Sequence, residues 1–456
     1  MAAGEGTRMR SALPKVLHEV CGRPMLAWPI AAAREAGAGR ICVIVSPDRN
    51  LSQAIPDGAE TIVQPEPDGT GGAIRAAADV VRESESVLIL SGDHPLISAE
   101  LIGELIATHR DAEAAATVMT TEIEDPASYG RIVRDADGDI ERIVEAKTAG
   151  DATPEELAIK EVNAGTYLFE AEPLAEALSR LSNDNAQGEY YLADVLPLLR
   201  GAGLRVAAYR ARDPGVNLGV NDRADLARAS REARRRILLA HMRAGVTIED
   251  PDATWIDADV SIDPDATILP GTSLRGRTTI GSGSMIGPLT TVIDSTVGDR
   301  ATVTNSFLTG CQVADDATVG PFSYLRPDAH IGEGAKAGTF VEIKNSEIGA
   351  GAKVPHLSYI GDAEVGEGTN LGASTVTANY DGRKKNRTKI GKNVHTGDDT
   401  TFVAPVEVGD EAYTGAGSVI TENVPPGALG IARAEQENVE GYAAKKAKES
   451  SEGEES

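Results

Sequence analysis

Two groups of residues in this chain have the types and spacing that chemistry requires. The first is the run Met1-Ala2-Ala3-Gly4-Glu5-Gly6-Thr7-Arg8-Met9, followed by Leu13-Pro14-Lys15. A glycine-rich turn lets backbone N–H groups approach phosphate oxygens, and an arginine and a lysine nearby neutralise the charge. Downstream, Ser91-Gly92-Asp93 closes an apolar run. Asp93 therefore falls at the carboxyl end of a predicted strand, where open α/β sheets bind ligands. The second group is His356, in Val354-Pro355-His356-Leu357-Ser358-Tyr359, with Arg326 and Lys344 in the same repetitive region. Imidazole titrates near neutrality and serves as a general base. Alone, neither group specifies a reaction, since G-x-G is a common turn and a lone histidine is more often packed or solvated.

The elements that must position these residues have two different rhythms. From about 246 to 420 an aliphatic or Thr residue recurs every six positions. It appears at Ile280 and Ile286, at Val313, Val319, Leu325 and Ile331, and at Ile348, Val354 and Ile360. It returns at Ile390, Thr396, Phe402, Val408, Thr414 and Ile420. A helix would repeat at 3.6 and a plain strand at 2. A period of six predicts short strands joined by tight bends, three per coil, stacked as a parallel β-helix. The Gly that follows most of these aliphatics suits a bend needing a compact or positive-φ residue.

Before this region, apolar β-rich runs at 41–45, 87–90, 116–120 and 166–169 alternate with Ala-rich helical stretches such as 25–36 and 72–82. That alternation predicts an α/β domain with a mainly parallel sheet. The expected division is an α/β domain over 1–221, a linker helix over 222–244, a β-helix over 245–433 and a disordered polar tail over 434–456. In the linker helix Leu226, Ile237, Leu238 and Leu239 are the expected apolar contacts. Pro425 and Pro426 are expected to stop the β-helix.

Composition narrows the field. With 456 residues, two or three domains are expected. The net charge of −26 argues against a nucleic-acid binder, which needs a basic stripe, and fits a solubilising surface. No apolar run approaches the length of a membrane span, and the N-terminus lacks the pattern of a secretory signal. Cys21, Cys42 and Cys311 are scattered and without metal spacing, as expected of reduced thiols in a cytoplasm.

The spacing from G-x-G-T-R-M to Pro14-Lys15 resembles the signature of sugar-phosphate nucleotidylyltransferases. Gln64 with Gly69-Thr70-Gly71 is similar to the segment that reads the uracil base, and Tyr129-Gly130-Arg131, Glu145, Asn163 and Gly219-Val220-Asn221 follow in family order. In the second half Arg326, Lys344, His356, Tyr359, Asn370, Ala373, Lys385 and Arg433 match, as does the distinctive run Thr377-Ala378-Asn379-Tyr380-Asp381-Gly382. Together the two halves resemble the bacterial bifunctional N-acetylglucosamine-1-phosphate uridylyltransferase / glucosamine-1-phosphate acetyltransferase family.

The resemblance implies a Rossmann-like α/β nucleotidylyltransferase domain and a left-handed parallel β-helix of hexapeptide repeats. It implies that Met1, Ala2, Ala3, Gly4, Arg8, Lys15, Gln64, Gly69, Thr70, Ser91, Gly92, Asp93, Gly130, Glu145, Asn163 and Asn221 bind UTP or the nucleotide sugar, with Asp93 and Asn221 on Mg²⁺. It implies His356 as catalytic base, Arg326 and Lys344 on the sugar phosphate, and Tyr359 and Asn370 on the sugar. Ala373, whose N–H is the implied oxyanion donor, would meet acetyl-CoA together with Asn379, Tyr380, Asp398, Ala416 and Arg433. Implied partners are glucosamine 1-phosphate, N-acetylglucosamine 1-phosphate, UTP and acetyl-CoA, in a cytoplasmic homotrimer that touches neither nucleic acid nor membrane.

Four departures stand out. The family has an apolar strand before the glycine-rich loop, and Met1 falls where that strand would end; the expectation is therefore a true start upstream, on which uridylyl transfer depends. Ser91 stands where an aromatic is common, His94 where an aliphatic is usual, and Asp398 where Ser is usual. Pro65 and Pro67 stiffen the Gln64 loop. The alternative reading is a single-activity nucleotidylyltransferase with a β-helix used only for assembly or regulation.

Overall fold

The computed structural model describes every residue except 5, 49, 127, 128, 146–151, 186 and 454–456, so Glu5 of the glycine-rich run and the end of the tail lie outside the described residues. The chain divides into two compact units, Met1–Ala240 with Ile256–Asp259 and His241–Trp255 with Val260–Ser456.

The first unit is built from strands β1 (Cys42–Val45), β2 (Glu60–Val63), β3 (Ser86–Ile89), β4 (Ala116–Glu122), β5 (Arg131–Arg134), β6 (Ile140–Val144), β7 (Glu161–Glu170) and β8 (Val206–Arg210). Parallel pairing joins β1 to β2 and β4 to β8. The long β7 pairs antiparallel with β3, β4 and β5, and β5 with β6. The apolar runs fall on β1, β3, β4 and β7, because their alternate residues fill one core around Ile89, Val118, Phe169, Leu174 and Leu196.

Helices α1 (Ala27–Glu35), α2 (Thr70–Ala76), α3 (Ala99–Asp111) and α4 (Arg223–Arg243) flank the strands. The helical stretch expected over 72–82 is divided: after α2 a separate helix runs Ala78–Arg82. Helix α3 starts where Ser98 Oγ accepts the Leu101 N–H, and it buries Ile102 and Leu105.

Met1 sits between the facing edges of β1 and β3. Its amino group donates to Leu90 O (2.8 Å), the Gly92 N–H donates to Met1 O (2.8 Å), and the Ala2 N–H donates to Ile44 O (2.8 Å). This is the pattern of a parallel bridge. Beside it a cavity of about 650 Å³ is lined by Val43, Ile44, Val87, Ile89 and Leu90 among others. Burial lowers the Met1 amine to about 6, against the pull of the Asp93 charge.

Of the four leucine and isoleucine contacts expected on α4, only Leu238 is buried. Ala229 and Ala233 are buried as well; Ala229 packs with Met9, Met25 and Val220, and half-buried Leu226 packs against the same cluster. The small side chains let this helix lie tightly against the start of the chain.

The second unit is the left-handed parallel β-helix. Its strands form three faces, and every pairing in them is parallel. Successive hexads move from face to face: Ile280 pairs with Val297, Ile286 with Val303, Val292 with Leu308. Every hexad aliphatic named above is buried, the most exposed being Thr396 at 8%. The glycine that follows them is required by close approach, with no positive φ at most of these positions. A Cβ on Gly349 would lie 2.6 Å from Glu367 N, in the next coil. Positive φ falls elsewhere, on corner residues such as Asn345, Asp362 and Leu357.

The tail differs from expectation. Tyr442–Gly453 forms a helix, α5, whose Ala, Lys and Glu residues have high intrinsic helix propensity.

Phe402 is fully buried within the coil stack. Phe402→Ala should destabilise the chain by about 3–5 kcal/mol. Urea unfolding followed by circular dichroism is the check, and a loss below about 1 kcal/mol would contradict this packing.

Candidate functional sites

In the first unit the glycine-rich run turns through a short 3₁₀ segment, Thr7–Met9, anchored by buried Met9. Gly6, at φ 64°, lies against Lys15, and any Cβ there would collide with the lysine stem. Glycine therefore lets Lys15 pass inward to Asp93. Lys15 Nζ lies 2.6 Å from Asp93 Oδ2, and His94 Nδ1 lies 2.8 Å from Asp93 Oδ1. The Val220 N–H donates to Asp93 O (2.9 Å), which brings Asn221 beside it, and Arg8 Nη2 donates to Asn221 Oδ1 (2.8 Å). Arg8, Lys15, Asp93 and Asn221, far apart in sequence, are thus gathered. Burial would raise the Asp93 carboxyl, but the charges and hydrogen bonds of His94 and Lys15 outweigh it and hold it well below the carboxylate range. The His94 ring is accommodated because Gly165 and Gly219 lie against it.

Two further clusters hold the remaining expected residues. Buried Gln64 donates through Nε2 to Asp68 Oδ1 (2.7 Å) and Gly69 O (3.2 Å). Gly69, at φ 98°, lies against the Tyr190 backbone, and Thr70 Oγ1 accepts the Leu192 N–H (3.1 Å). Asn163 donates to Tyr167 Oη (2.6 Å), while its own N–H donates to Gly130 O (2.9 Å). The Tyr167 phenol is raised by burial and by the nearby charge of Glu145. Ser91 lies beside Gly165, and Gly92 is bonded to Met1 as above; Ala2 is buried, Ala3 half-buried and Gly4 exposed.

Asp93 and Asn221 are hard oxygen donors of the kind Mg²⁺ prefers. Each oxygen already faces a cationic side chain, so the pair is a place where positive charge is stabilised. Among the described residues no cluster of three His, Cys, Asp or Glu side chains could hold a metal by itself. Waters and phosphate oxygens would have to complete the shell.

In the second unit, stacking sets the site. Leu325 pairs with Ile343 and Lys344 with Gly361, so Arg326, Lys344 and Gly361 occupy adjacent rungs. Arg326 Nη1 donates to Glu342 Oε1 (2.8 Å), and Glu342 pairs in register with Tyr359. At Gly361 the column has no side chain, and the space is filled by Tyr359 Oη and Asn379 Nδ2, 3.3 Å from each other. On the next face His356 lies opposite Thr339, at the end of the strand Lys353–His356. Its carbonyl accepts from Ser358 Oγ (2.7 Å) and from the Ser374 N–H (3.1 Å). The imidazole is exposed and makes no hydrogen bond among the described residues. Asn370 bridges to both Lys353 and His395, one coil along on the same face.

The run from Asn379 to Asn386 is a loop on one enlarged coil. Tyr380 bridges antiparallel to Lys385, the Asn386 N–H donates to Asn379 O (2.7 Å), and Asp381 Oδ1 accepts the Arg383 and Lys384 N–H groups. Tyr380 is largely exposed. Arg433 Nη1 donates to Ala416 O (2.8 Å), which joins those two expected residues.

One contact and two participants, Glu342 and Asp362, were not read from the sequence. The Ala373 N–H already donates to Asp398 Oδ1 (2.8 Å), so the expected oxyanion donor is engaged by the residue that departs from the family. Glu342 holds Arg326, and buried Asp362 accepts from Asn345 and Asn379. Only a knowledge of which rungs are adjacent could have revealed them.

Comparison with known proteins agrees with both halves. Residues 1–193 match the model of the MobA-like NTP transferase domain, and residues 387–422 that of the bacterial transferase hexapeptide (six repeats). Bifunctional protein GlmU of Mycobacterium tuberculosis (strain ATCC 25177 / H37Ra) is 46% identical over 98% of this chain and 92% of its own. The protein of the same description from Mycolicibacterium vanbaalenii is 47% identical over the same shares. Fold and sites thus define a nucleotidyltransferase fused to a hexapeptide-repeat transferase. The chain belongs to the family of bifunctional GlmU proteins.

Gly361 supplies a test of the second site. A methyl at this position would collide with Tyr359 Oη and Asn379 Nδ2. Gly361→Ala should lower turnover at this site by roughly a hundredfold with an unchanged circular-dichroism spectrum. Wild-type kinetics in the variant would mean that neither side chain contributes.

Proposed function

We propose that the chain makes UDP-N-acetylglucosamine by two successive transfers. It is a glucosamine-1-phosphate N-acetyltransferase and an N-acetylglucosamine-1-phosphate uridylyltransferase, with acetyl-CoA and UTP as co-substrates. The observation that carries the reading is the adjacency of Arg326 and Lys344, with Tyr359 and Asn379 filling the space over Gly361, in a chain of this family. A single-activity nucleotidylyltransferase is not favoured, because the relatives are bifunctional proteins and the second site carries its own acid–base group.

In the acetyl transfer the 2-amine of glucosamine 1-phosphate attacks the thioester carbonyl and forms the new C–N bond. His356 takes the proton lost from nitrogen, and Arg326 and Lys344 hold the phosphate. The tetrahedral oxyanion is held by the Ala373 N–H, which requires Asp398 to turn away from it. Collapse breaks the C–S bond, and the proton held by His356 passes to the sulfur, so that coenzyme A leaves as the thiol. Tyr359 and Asn370 hold the sugar, while Asn379, Tyr380, Ala416 and Arg433 line the acyl-donor side.

In the uridylyl transfer an oxygen of N-acetylglucosamine 1-phosphate attacks the α-phosphorus of UTP in line, and pyrophosphate leaves. The attacking oxygen is already anionic, so the chain needs no side-chain nucleophile. Arg8 and Lys15 would exchange their present partners for phosphate oxygens and spread the developing charge. Gln64 and Gly69 face the base, and Gly130, Glu145 and Asn163 the sugar. Asp93 and Asn221 would hold Mg²⁺, which supplies charge neutralisation on the triphosphate.

Assembly is read as a homotrimer. Leu289, Phe322, Phe340 and Leu357 are all exposed corner residues at positive φ, and Phe322 stacks on Phe340 at 5.4 Å between centroids. Such a row is what a contact with further copies would cover. Among the described residues no helix is long and apolar enough to cross a membrane.

Two measurements test this. Asp93→Asn should remove uridylyl transfer and spare acetyl transfer, and His356→Ala should do the reverse, each with a loss of roughly a hundredfold or more. Either change abolishing both activities in folded protein would defeat the two-site reading. Light scattering should give three times the chain mass, and a monomer at micromolar concentration would refute the assembly.

A further inference from the structure

We propose that Asp362 is a positioning residue for the acetyl-transfer site, a buried carboxylate that fixes Lys344 and Asn379 where the sugar phosphate and the acyl donor meet them. The inference rests on the two-transfer reading above.

Asp362 occupies the corner after the strand Tyr359–Gly361, at φ 50°, and is only 6% exposed. Glycine would adopt this backbone more easily. Its side chain therefore carries a cost in conformation and a second one in desolvation, and both must be offset by what the carboxylate holds.

It holds a column. Because Lys344 is in register with Gly361 and Tyr359 with Val376, the corner residues Asn345, Asp362 and Asn379 lie on successive rungs. Asn345 Nδ2 donates to Asp362 Oδ1 (2.5 Å), Asn379 Nδ2 donates to Asp362 Oδ2, and Lys344 Nζ lies 3.9 Å from Oδ2. Asn379 also reaches Tyr359 Oη, so one carboxylate orients three of the expected site residues directly or through one partner. Burial works to raise this carboxyl, but the two amides and the Lys344 and Lys385 charges hold it below the usual range.

The charge count points the same way. Lys344 and Lys385 approach each other, and this contact lowers the Lys385 ammonium. Lys344 lies within ion-pair range of Asp362 and the Asp362 charge also acts on Lys385, which restrains the repulsion between the two lysines. A second carboxylate would remove the attraction for a phosphate, and none at all would leave two mobile lysines repelling each other.

The test is Asp362→Asn, together with the reciprocal swap Asp362→Asn with Asn345→Asp. An asparagine offers one accepting oxygen to two amide donors, so the column loses one bond. The swap restores a carboxylate–amide pair with its direction reversed. The single variant should raise the KM for glucosamine 1-phosphate or acetyl-CoA, lowering kcat/KM for acetyl transfer roughly tenfold to a hundredfold. Uridylyl transfer should be unchanged, and the swap should recover most of the loss. In a crystal structure of the single variant, the Lys344 ammonium and the Asn379 amide should be displaced from their wild-type positions.

Unchanged kinetics with unmoved side chains would overturn the proposal. So would a loss confined to kcat that the swap leaves uncorrected, or a failure of both variants to form the β-helix. If wild-type protein does not acetylate glucosamine 1-phosphate, the functional reading falls, while the crystal comparison still decides whether Asp362 positions its neighbours.

Discussion

The constraint on which the proposed acetyl-transfer site depends is the backbone ladder between coils. Each inward aliphatic is buried only by the coils on either side, and the parallel hydrogen bonds that join them leave no freedom to slide. Register then decides chemistry. Arg326 and Lys344 are separated in sequence but adjacent in the stack, as are Asn345, Asp362 and Asn379. A slip of one residue would send every one of these side chains to the wrong side of the sheet. The glycines at the bends tighten this further, since coils that approach this closely cannot be spread by an inserted side chain without breaking the ladder.

The first unit solves a different problem. The chain carries a large net negative charge, yet the proposed substrate there is a polyanion. The answer is local: Arg8 and Lys15 are held on Asn221 and Asp93, so cations are concentrated where the overall field opposes an anion. The first contact is a hydrogen bond to a neutral amide and the second a partly buried ion pair. Their value lies in being exchangeable, because a phosphate can take the place of a side-chain oxygen with little loss of hydrogen bonding. His94 adds a second contact to the same carboxylate, in space provided by two glycines.

What was legible in the sequence follows from these two architectures. The hexad period was plain because burial recurs at every sixth residue, and the aliphatics it marks are all inside. The apolar runs of the first unit were legible for the same reason, although β7 is longer than its apolar segment and the helix over 72–82 is broken. On helix α4 Leu226 and Leu238 make apolar contacts as expected, whereas Ala229 and Ala233 escaped notice because they matter for being small. The tail was expected to be disordered from its polarity, but polarity does not oppose a helix of Ala, Lys and Glu. Asp362 and Glu342 could not be found at all, since acidic residues are abundant here and only the register shows which face a lysine or an arginine.

The Asp398 contact shows how far fold and catalysis share the same groups. At other corners a coil's backbone N–H is accepted by an aspartate of the next coil: Arg277 by Asp294, Ser282 by Asp299, Asp299 by Asp315 and Lys392 by Asp410. This satisfies donors that the bend would otherwise leave unpaired. Asp398 does the same for Ala373, and in doing so occupies the N–H proposed above as the oxyanion donor. A thioester carbonyl entering the site must exchange with a carboxylate, which is the stronger acceptor while the oxygen is neutral. Once the carbon becomes tetrahedral that oxygen carries a full charge and competes on equal terms. The interaction therefore gains more in the transition state than in the bound ground state, which is the direction that favours turnover over mere binding.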